Sequence, residues 1–238
     1  MSTINALKTK IREEVWNTLD VNRVASPRPS KGKIPTFAGA RTAALKLVKR
    51  DLFKGAEVVF STPDSSLQPI REETLKTGKT LVMITPNLSG FVIVDGGSIP
   101  NYRITIAATP RGALTFGQRV KVPENVKVDL ILVGSVAVDR LGGRLGRGDG
   151  QQDIEYAVLR ELKLISDQTP VVTAIHDLQI VSRVPMLYHD LPVDYIITPT
   201  LFLKIQDGYK KPSGIIWDVV NAETIEKLPL LKILYGSV

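Results

Sequence analysis

Between Asp139 and Asp153 the chain reads Asp139-Arg140-Leu141-Gly142-Gly143-Arg144-Leu145-Gly146-Arg147-Gly148-Asp149-Gly150-Gln151-Gln152-Asp153, with five glycines and three arginines. Glycines let a backbone wrap closely around an anion, and arginine offers planar forks of donors to phosphate oxygens. Asp149 inside the loop and Asp153 at the start of the following amphipathic run add carboxylates, so the chemistry suggested is phosphate accompanied by a divalent cation. The loop matches neither common nucleotide motif. Gln151 stands where GxGxxG needs its last glycine, and Glu73 stands where a GxxxxGK[ST] loop ending at Gly78-Lys79-Thr80 needs its first. By residue type alone, a solvated loop remains the competing reading.

Three further clusters could carry chemistry. Lys8 and Arg12 are four apart on an amphipathic pattern and project from one helix face, where two cations could grip a triphosphate or simply face solvent. His176-Asp177 follows the apolar run Val171–Ile175, at the end of a strand where α/β sheets keep their sites, although a capping turn would use the same residues. His189-Asp190 supplies a second carboxylate, and Asp153 with Asp190 would suffice for Mg2+, which keeps several waters and uses phosphate oxygens as ligands.

These groups need elements to hold them. Ile4, Leu7, Ile11, Val15 and Leu19 recur at helical spacing, and a proline-rich passage with Pro27, Pro29 and Pro35 leads to a second helix near residues 40–49. The order then becomes βαβ: a strand at 56–60, a helix at 67–77 with Pro69 in its first turn and Gly78 as its stop, and a strand at 80–84. Further strands are predicted at 103–108, 128–133, 171–175 and 193–198, with a strong helix at 153–166. The glycine loop is thus read as joining the strand at 128–133 directly to that helix. The expected fold is α/β, three layers around a mostly parallel sheet, in a single domain over residues 1–238.

Composition excludes several classes. With no cysteine there are no disulfides or thiolate sites, and with two histidines, His176 and His189, any metal must be held by oxygen. No apolar run reaches the roughly 18 residues of a membrane span, and Met1-Ser2-Thr3-Ile4-Asn5 lacks a signal-peptide pattern, so the expectation is a cytoplasmic protein without a membrane partner. A net charge of +7 favours anionic partners, nucleotide or nucleic acid. Nucleic acid is the less favoured, because no recognition motif is present and aromatic residues make up only 6% of the chain.

The loop, from Arg144-Leu145-Gly146-Arg147-Gly148-Asp149-Gly150 to Asp153, resembles the RLGxGxGYYD signature of the 5-formyltetrahydrofolate cyclo-ligase (methenyltetrahydrofolate synthetase) family. Ile11-Arg12-Glu13, Pro27-Arg28-Pro29, Ile34–Gly39, His176-Asp177-Leu178-Gln179 and Lys211–Trp217 resemble its methenyltetrahydrofolate synthetase domain-containing branch. The resemblance implies a sheet similar to that of sugar-phosphate isomerases and coenzyme A transferases. It also implies an ATP- and Mg2+-dependent closure of 5-formyltetrahydrofolate to 5,10-methenyltetrahydrofolate, with ADP and phosphate released. Carried over by position, Lys8 and Arg12 would hold ATP phosphates, while Arg144, Leu145, Gly146, Arg147, Gly148, Asp149, Gly150, Gln151 and Gln152 would wrap nucleotide and folate. Arg144 and Arg147 would be the catalytic cations, and Asp153 and Asp190 would hold Mg2+. Gln151 and Gln152 depart from the family's paired tyrosines, and the stretch from Pro63 to Arg71 lacks the glutamate that cyclo-ligases place before this helix. The alternatives are a non-catalytic nucleotide- or RNA-binding protein on the same fold, or an isomerase or kinase-like activity, and fold alone does not separate them.

Overall fold

The computed structural model describes residues 3–236; Met1 and Ser2, part of the N-terminal stretch read above, lie outside the described residues. Its centre is an eight-stranded sheet. In spatial order the strands are Phe202–Lys204, Tyr195–Ile197, Val171–Ala174, Leu130–Leu132, Val58–Ser61, Thr80–Ile84, Phe91–Asp95 and Gln118–Val120. The five strands from Tyr195–Ile197 to Thr80–Ile84 pair in parallel, and the pairings outside them are antiparallel.

The apolar runs alternate across this sheet as pleating demands. Leu130, Leu132, Val59 and Val172 turn to one face, where Ala43, Ala44 and Leu47 of the helix Ala40–Val48 cover them together with Leu67 and Ile70. Ile131, Phe60 and Val171 turn to the other, under Tyr156, Val158 and Leu159 of the helix Gln151–Glu161 and Leu230 and Leu231 of the helix Pro229–Tyr235. The result is helix, sheet, helix. Each fully buried aliphatic side chain in these layers contributes about 1.5–3 kcal/mol of transfer free energy.

Most expected elements are present within a few residues. Pro69 lies in the first turn of the helix Gln68–Lys76, and Gly78 follows it at φ +75°, a left-handed stop that a side chain would strain. Two expectations are overturned. Residues 103–108 are not a strand: Asn101–Arg103 is a 3-10 turn running into a helical turn, Ile104–Ala107, whose Ile104 and Ala107 pack against Leu81 and Val92. A short β-branched run satisfies strand and helix patterns equally, and packing decides between them. Nor does the strand Leu130–Leu132 lead straight into the glycine loop. A hairpin of Ala137–Asp139 and Arg144–Leu145 intervenes and pairs with Ile180–Val181 as a separate three-stranded sheet.

That small sheet positions the site. Val15, Trp16 and Leu19 of the N-terminal helix Thr3–Val21 pack against its Ala137 and Leu145 and against Val136 and Val184, while Trp16 Nε1 donates to Lys33 O at 2.9 Å. The helix therefore lies beside the glycine loop. The sheet's switch point lies between Val58–Ser61, which leads to Thr80–Ile84 on one side, and Leu130–Leu132 on the other. Beyond their C-terminal ends Thr62 Oγ1 receives Gly134 N at 3.1 Å, and a Cβ on Gly134 would meet Asp64 Oδ2 at 2.3 Å.

Two buried ionisable side chains lie in this region. Arg71, fully buried, donates to Ala108 O at 2.7 Å and to Thr62 O and Asp64 O at 2.9 Å each; burial pulls its pKa down to about 10, which leaves it cationic at neutral pH. Glu155 is held by one bond from Gln151 Nε2 at 2.8 Å, and burial pushes its pKa up to about 8.

Arg71→Met is expected to lower stability by about 2–4 kcal/mol in urea unfolding, because three carbonyls lose their donor. A carboxyl that binds its proton more tightly folded than unfolded makes stability fall as pH rises from the unfolded value toward about 8. Glu155→Gln is therefore expected to flatten the decline in melting temperature between about pH 5 and pH 8. An unchanged slope would show that Glu155 titrates normally.

Candidate functional site

The N-terminal helix, the glycine loop and the segment around Asp190 enclose a cleft of about 520 Å³. Lys8, Arg12, Gly146, Gly148, Asp149, Gly150, Gln152, Asp153 and Asp190 all line it, so residues 182 apart in sequence meet there. Arg12 Nε donates to Gly146 O at 2.7 Å, which fixes the guanidinium over the loop. Burial lowers the Arg12 pKa and Arg144 adds to the effect, opposed by the carboxylates of Asp153, Asp190 and Asp149. Lys8 is buried and forms a short ion pair with Asp190, whose Oδ2 also accepts from Leu187 N at 2.6 Å.

The loop needs its glycines for two reasons. Gly148 and Gly150 have φ of +112° and +69°, and a Cβ on Gly146 would meet Gln152 Oε1 at 2.5 Å. Gly150 is the residue from which the helix Gln151–Glu161 starts, so the loop delivers a helix N-terminus to the cleft, a favourable place for anionic oxygens.

Arg144 has a structural place rather than an open one. Its side chain is 1% exposed, and every nitrogen is engaged: Nε with Leu191 O at 2.9 Å, Nη1 with Gly134 O at 3.1 Å and Gln152 Oε1 at 2.9 Å, Nη2 with Asp153 Oδ1 at 2.6 Å. Leu145 is buried against Trp16 and likewise does not line the cleft. Arg147 and Gln151 do not line it either. Arg147 bonds Asp149 at 2.5 Å and Gln151 at 2.8 Å, and it borders a second pocket of about 370 Å³ together with Lys33, Ile34, Pro63 and Asp64.

A hydrogen bond from Gln152 links the lining of the cleft to that of the second pocket. Gln152 Oε1 accepts from Arg144 and its Nε2 donates to Asp64 Oδ2 at 3.0 Å, so one amide spans the cleft and the second pocket. The apolar side of the cleft is formed by Ile154, Ala157, Leu187, Ile215, Ile216 and Val219, with His189 beside it. Leu187 and Val219 belong to no motif, and although Lys211–Trp217 and His189-Asp190 stand out in the sequence, only the folded chain brings them into one cleft with the loop. His176 and Asp177 stand apart from both pockets. His176 Nδ1 caps a 3-10 turn through Leu178 N, and Asp177 Oδ1 accepts from Thr198 and Thr200 at 2.5 Å each. A capping turn does form, but His176 rather than Asp177 is its cap, and the Asp177 carboxylate serves threonine hydroxyls instead of backbone amides.

Among the described residues no group of three histidines or acidic residues could hold a metal ion. Asp153 and Asp190 each spend one oxygen on protein cations and amides, which leaves the other for a ligand. That suits a hard cation whose remaining ligands are water and phosphate. Among the described residues no helix is long and apolar enough to cross a membrane.

The chain is similar to known proteins. The chain is 36% identical over 237 residues, 96% of its length, to the methenyltetrahydrofolate synthase domain-containing protein of Danio rerio. It is 35% identical over 97% of its length to that of Homo sapiens. It spans 62% of the length of each of these relatives. The solved 5,10-methenyltetrahydrofolate synthetase of Aquifex aeolicus superimposes with a TM-score of 0.53 at 22% identity, over 85% of this chain and 95% of that one, which establishes a shared fold. Residues 4–199, from the cations of the N-terminal helix through the glycine loop to the strand after Asp190, match a single family, and the chain belongs to it: the 5-formyltetrahydrofolate cyclo-ligase family.

Proposed function

We propose that the chain is one cyclo-ligase domain that uses ATP and Mg2+ to close 5-formyltetrahydrofolate to 5,10-methenyltetrahydrofolate, releasing ADP and phosphate. The observation that carries this reading is the convergence of Lys8, Arg12 and the loop 146–150 on one cleft, next to a second pocket reached across Gln152 and Asp64. A nucleotide triphosphate fits the first and a second substrate the second, with the transferred group between them.

The formyl oxygen takes the γ-phosphoryl group, N10 then attacks the formyl carbon, and phosphate leaves with that oxygen. Such a reaction asks the protein for alignment and charge neutralisation more than for covalent chemistry. Lys8 and Arg12 neutralise the triphosphate, and the amides at the start of Gln151–Glu161 hold its oxygens. Asp153 and Asp190 would hold Mg2+, which when bound offsets charge on the phosphates. Arg144, fully engaged, serves as a positioning residue: it fixes Asp153 and Gln152 rather than touching substrate. Arg147, half-exposed at the edge of the second pocket and paired with Asp149, is the arginine that turns toward the reacting oxygen. With glutamines in place of the paired tyrosines, the loop offers polar rather than stacking contacts to a pterin.

Absorbance of the methenyl product is expected to rise only with both ATP and magnesium present. Asp153→Asn keeps an acceptor for Leu191 N and Arg144 but loses the charge, and kcat/KM is expected to fall about 100-fold or more, roughly 2.7 kcal/mol. Absence of product from the unmodified protein would sink the cyclo-ligase reading. Gln152→Leu is expected to cut the bridge to Asp64, raising the KM for the folate more than the KM for ATP.

A further inference from the structure

The family match ends at Pro199, yet the cleft does not. Its far wall is built by the segment 212–224, which contributes Ile215, Ile216, Val219, Val220, Asn221 and Thr224. This segment is fastened at both ends. Lys211 Nζ pairs with Asp194 at 2.8 Å and donates to Thr169 O at 3.0 Å, and Ile215 N donates to Glu161 Oε2 at 3.2 Å. Downstream, Ile225, Leu230 and Leu231 are buried, and Trp217 packs edge-on against Tyr235 with centroids 5.2 Å apart. The wall is therefore a fixed part of the fold.

Its chemistry is unlike that of the loop opposite. Charge is confined to one side of the cleft: Lys8, Arg12, Asp149, Asp153 and Asp190 all belong to the helix, the loop or the segment before Leu191. The other side is aliphatic, and Val219 remains 43% exposed at its rim, so the cleft holds apolar surface that a flat ring would cover. Also on that wall, the side-chain Oδ1 of Asn221 caps the helix Ala222–Lys227 by accepting from Thr224 N at 2.7 Å. The cap commits the oxygen and leaves the amide NH2 as a donor.

We propose that the segment 212–224 is the nucleobase wall of the cleft and selects adenine over guanine. The inference rests on the nucleotide reading given above. With the triphosphate on the loop, the base lies along Ile216 and Val219, and the Asn221 NH2 donates to a ring nitrogen of the purine. Guanine would turn its N1–H toward that NH2, donor against donor, and the carboxylates of this segment, Asp218 and Glu223, do not line the cleft to accept from it. Adenine presents an acceptor at N1 that the NH2 satisfies, and only its 6-amino group is left for solvent.

The test is calorimetric titration of the full chain with magnesium and, separately, ATP, GTP and inorganic tripolyphosphate. ATP is expected to bind at least about tenfold more tightly than either of the others. Val219→Asn is expected to cost ATP about tenfold while leaving tripolyphosphate affinity unchanged. Asn221→Asp keeps the cap but exchanges the donor for an acceptor, and it is expected to erase the preference for ATP over GTP with no change in melting temperature. Equal affinity for ATP and tripolyphosphate would overturn the base wall while leaving the phosphate grip intact. An Asn221→Asp preference identical to that of the unmodified protein would also overturn it, even if Val219→Asn proved unstable. Silence from all three ligands would remove both the wall and the nucleotide reading.

Discussion

One buried guanidinium holds the site together. Arg144 joins Gly134 beyond the central sheet, Leu191 beyond the short segment that carries Asp190, and Gln152 and Asp153 at the start of the loop helix. A buried cation is tolerated only when its donors are satisfied, and here they are taken by three separate stretches of chain. The geometry of the cleft is then over-determined from the inside. Asp153 cannot swing away without stranding Arg144, and Gln152 cannot rotate without releasing Asp64. The flexible glycine loop is thus closed at both ends by rigid contacts, which lets a sequence rich in glycine serve as a shaped cradle.

The loop itself was legible from sequence because its requirements are local. Glycines at positive φ, a carboxylate in the first helical turn and cations four apart on one helix face all follow from short-range geometry. The roles of the arginines were not legible. Arg144 and Arg147 look alike in the string, yet one is 1% exposed and the other 46%, and nothing between residues 139 and 153 separates them. The difference arises from the hairpin Ala137–Asp139 and Arg144–Leu145, which turns Arg144 inward and which periodicity cannot reveal in strands of two or three residues. The three-residue edge strands Gln118–Val120 and Phe202–Lys204 were missed for a related reason, since an edge element is decided by what it pairs with. Phe91–Asp95, five residues paired on both sides, was missed as well.

The two glutamines change what the loop can offer a substrate. Aromatic side chains at these positions would bring faces for stacking; the amides bring directed hydrogen bonds, one tying Arg147 to Glu155 and the other tying Arg144 to Asp64. Stacking tolerates a range of ring sizes, whereas a bridged amide fixes distances. The second pocket has Lys33, Asp64 and Arg147 on its lining and no aromatic side chain, in keeping with recognition by polar edges.

The ion pair between Lys8 and Asp190 spans 182 positions of the chain. During synthesis the helix Thr3–Val21 emerges before the small sheet under it and can dock only after that sheet has formed, and its lysine must wait for the aspartate longer still. The cleft is therefore among the last features to assemble. An intermediate holding most of the sheet would still lack the grip, so binding competence would report completion of folding rather than the presence of its parts.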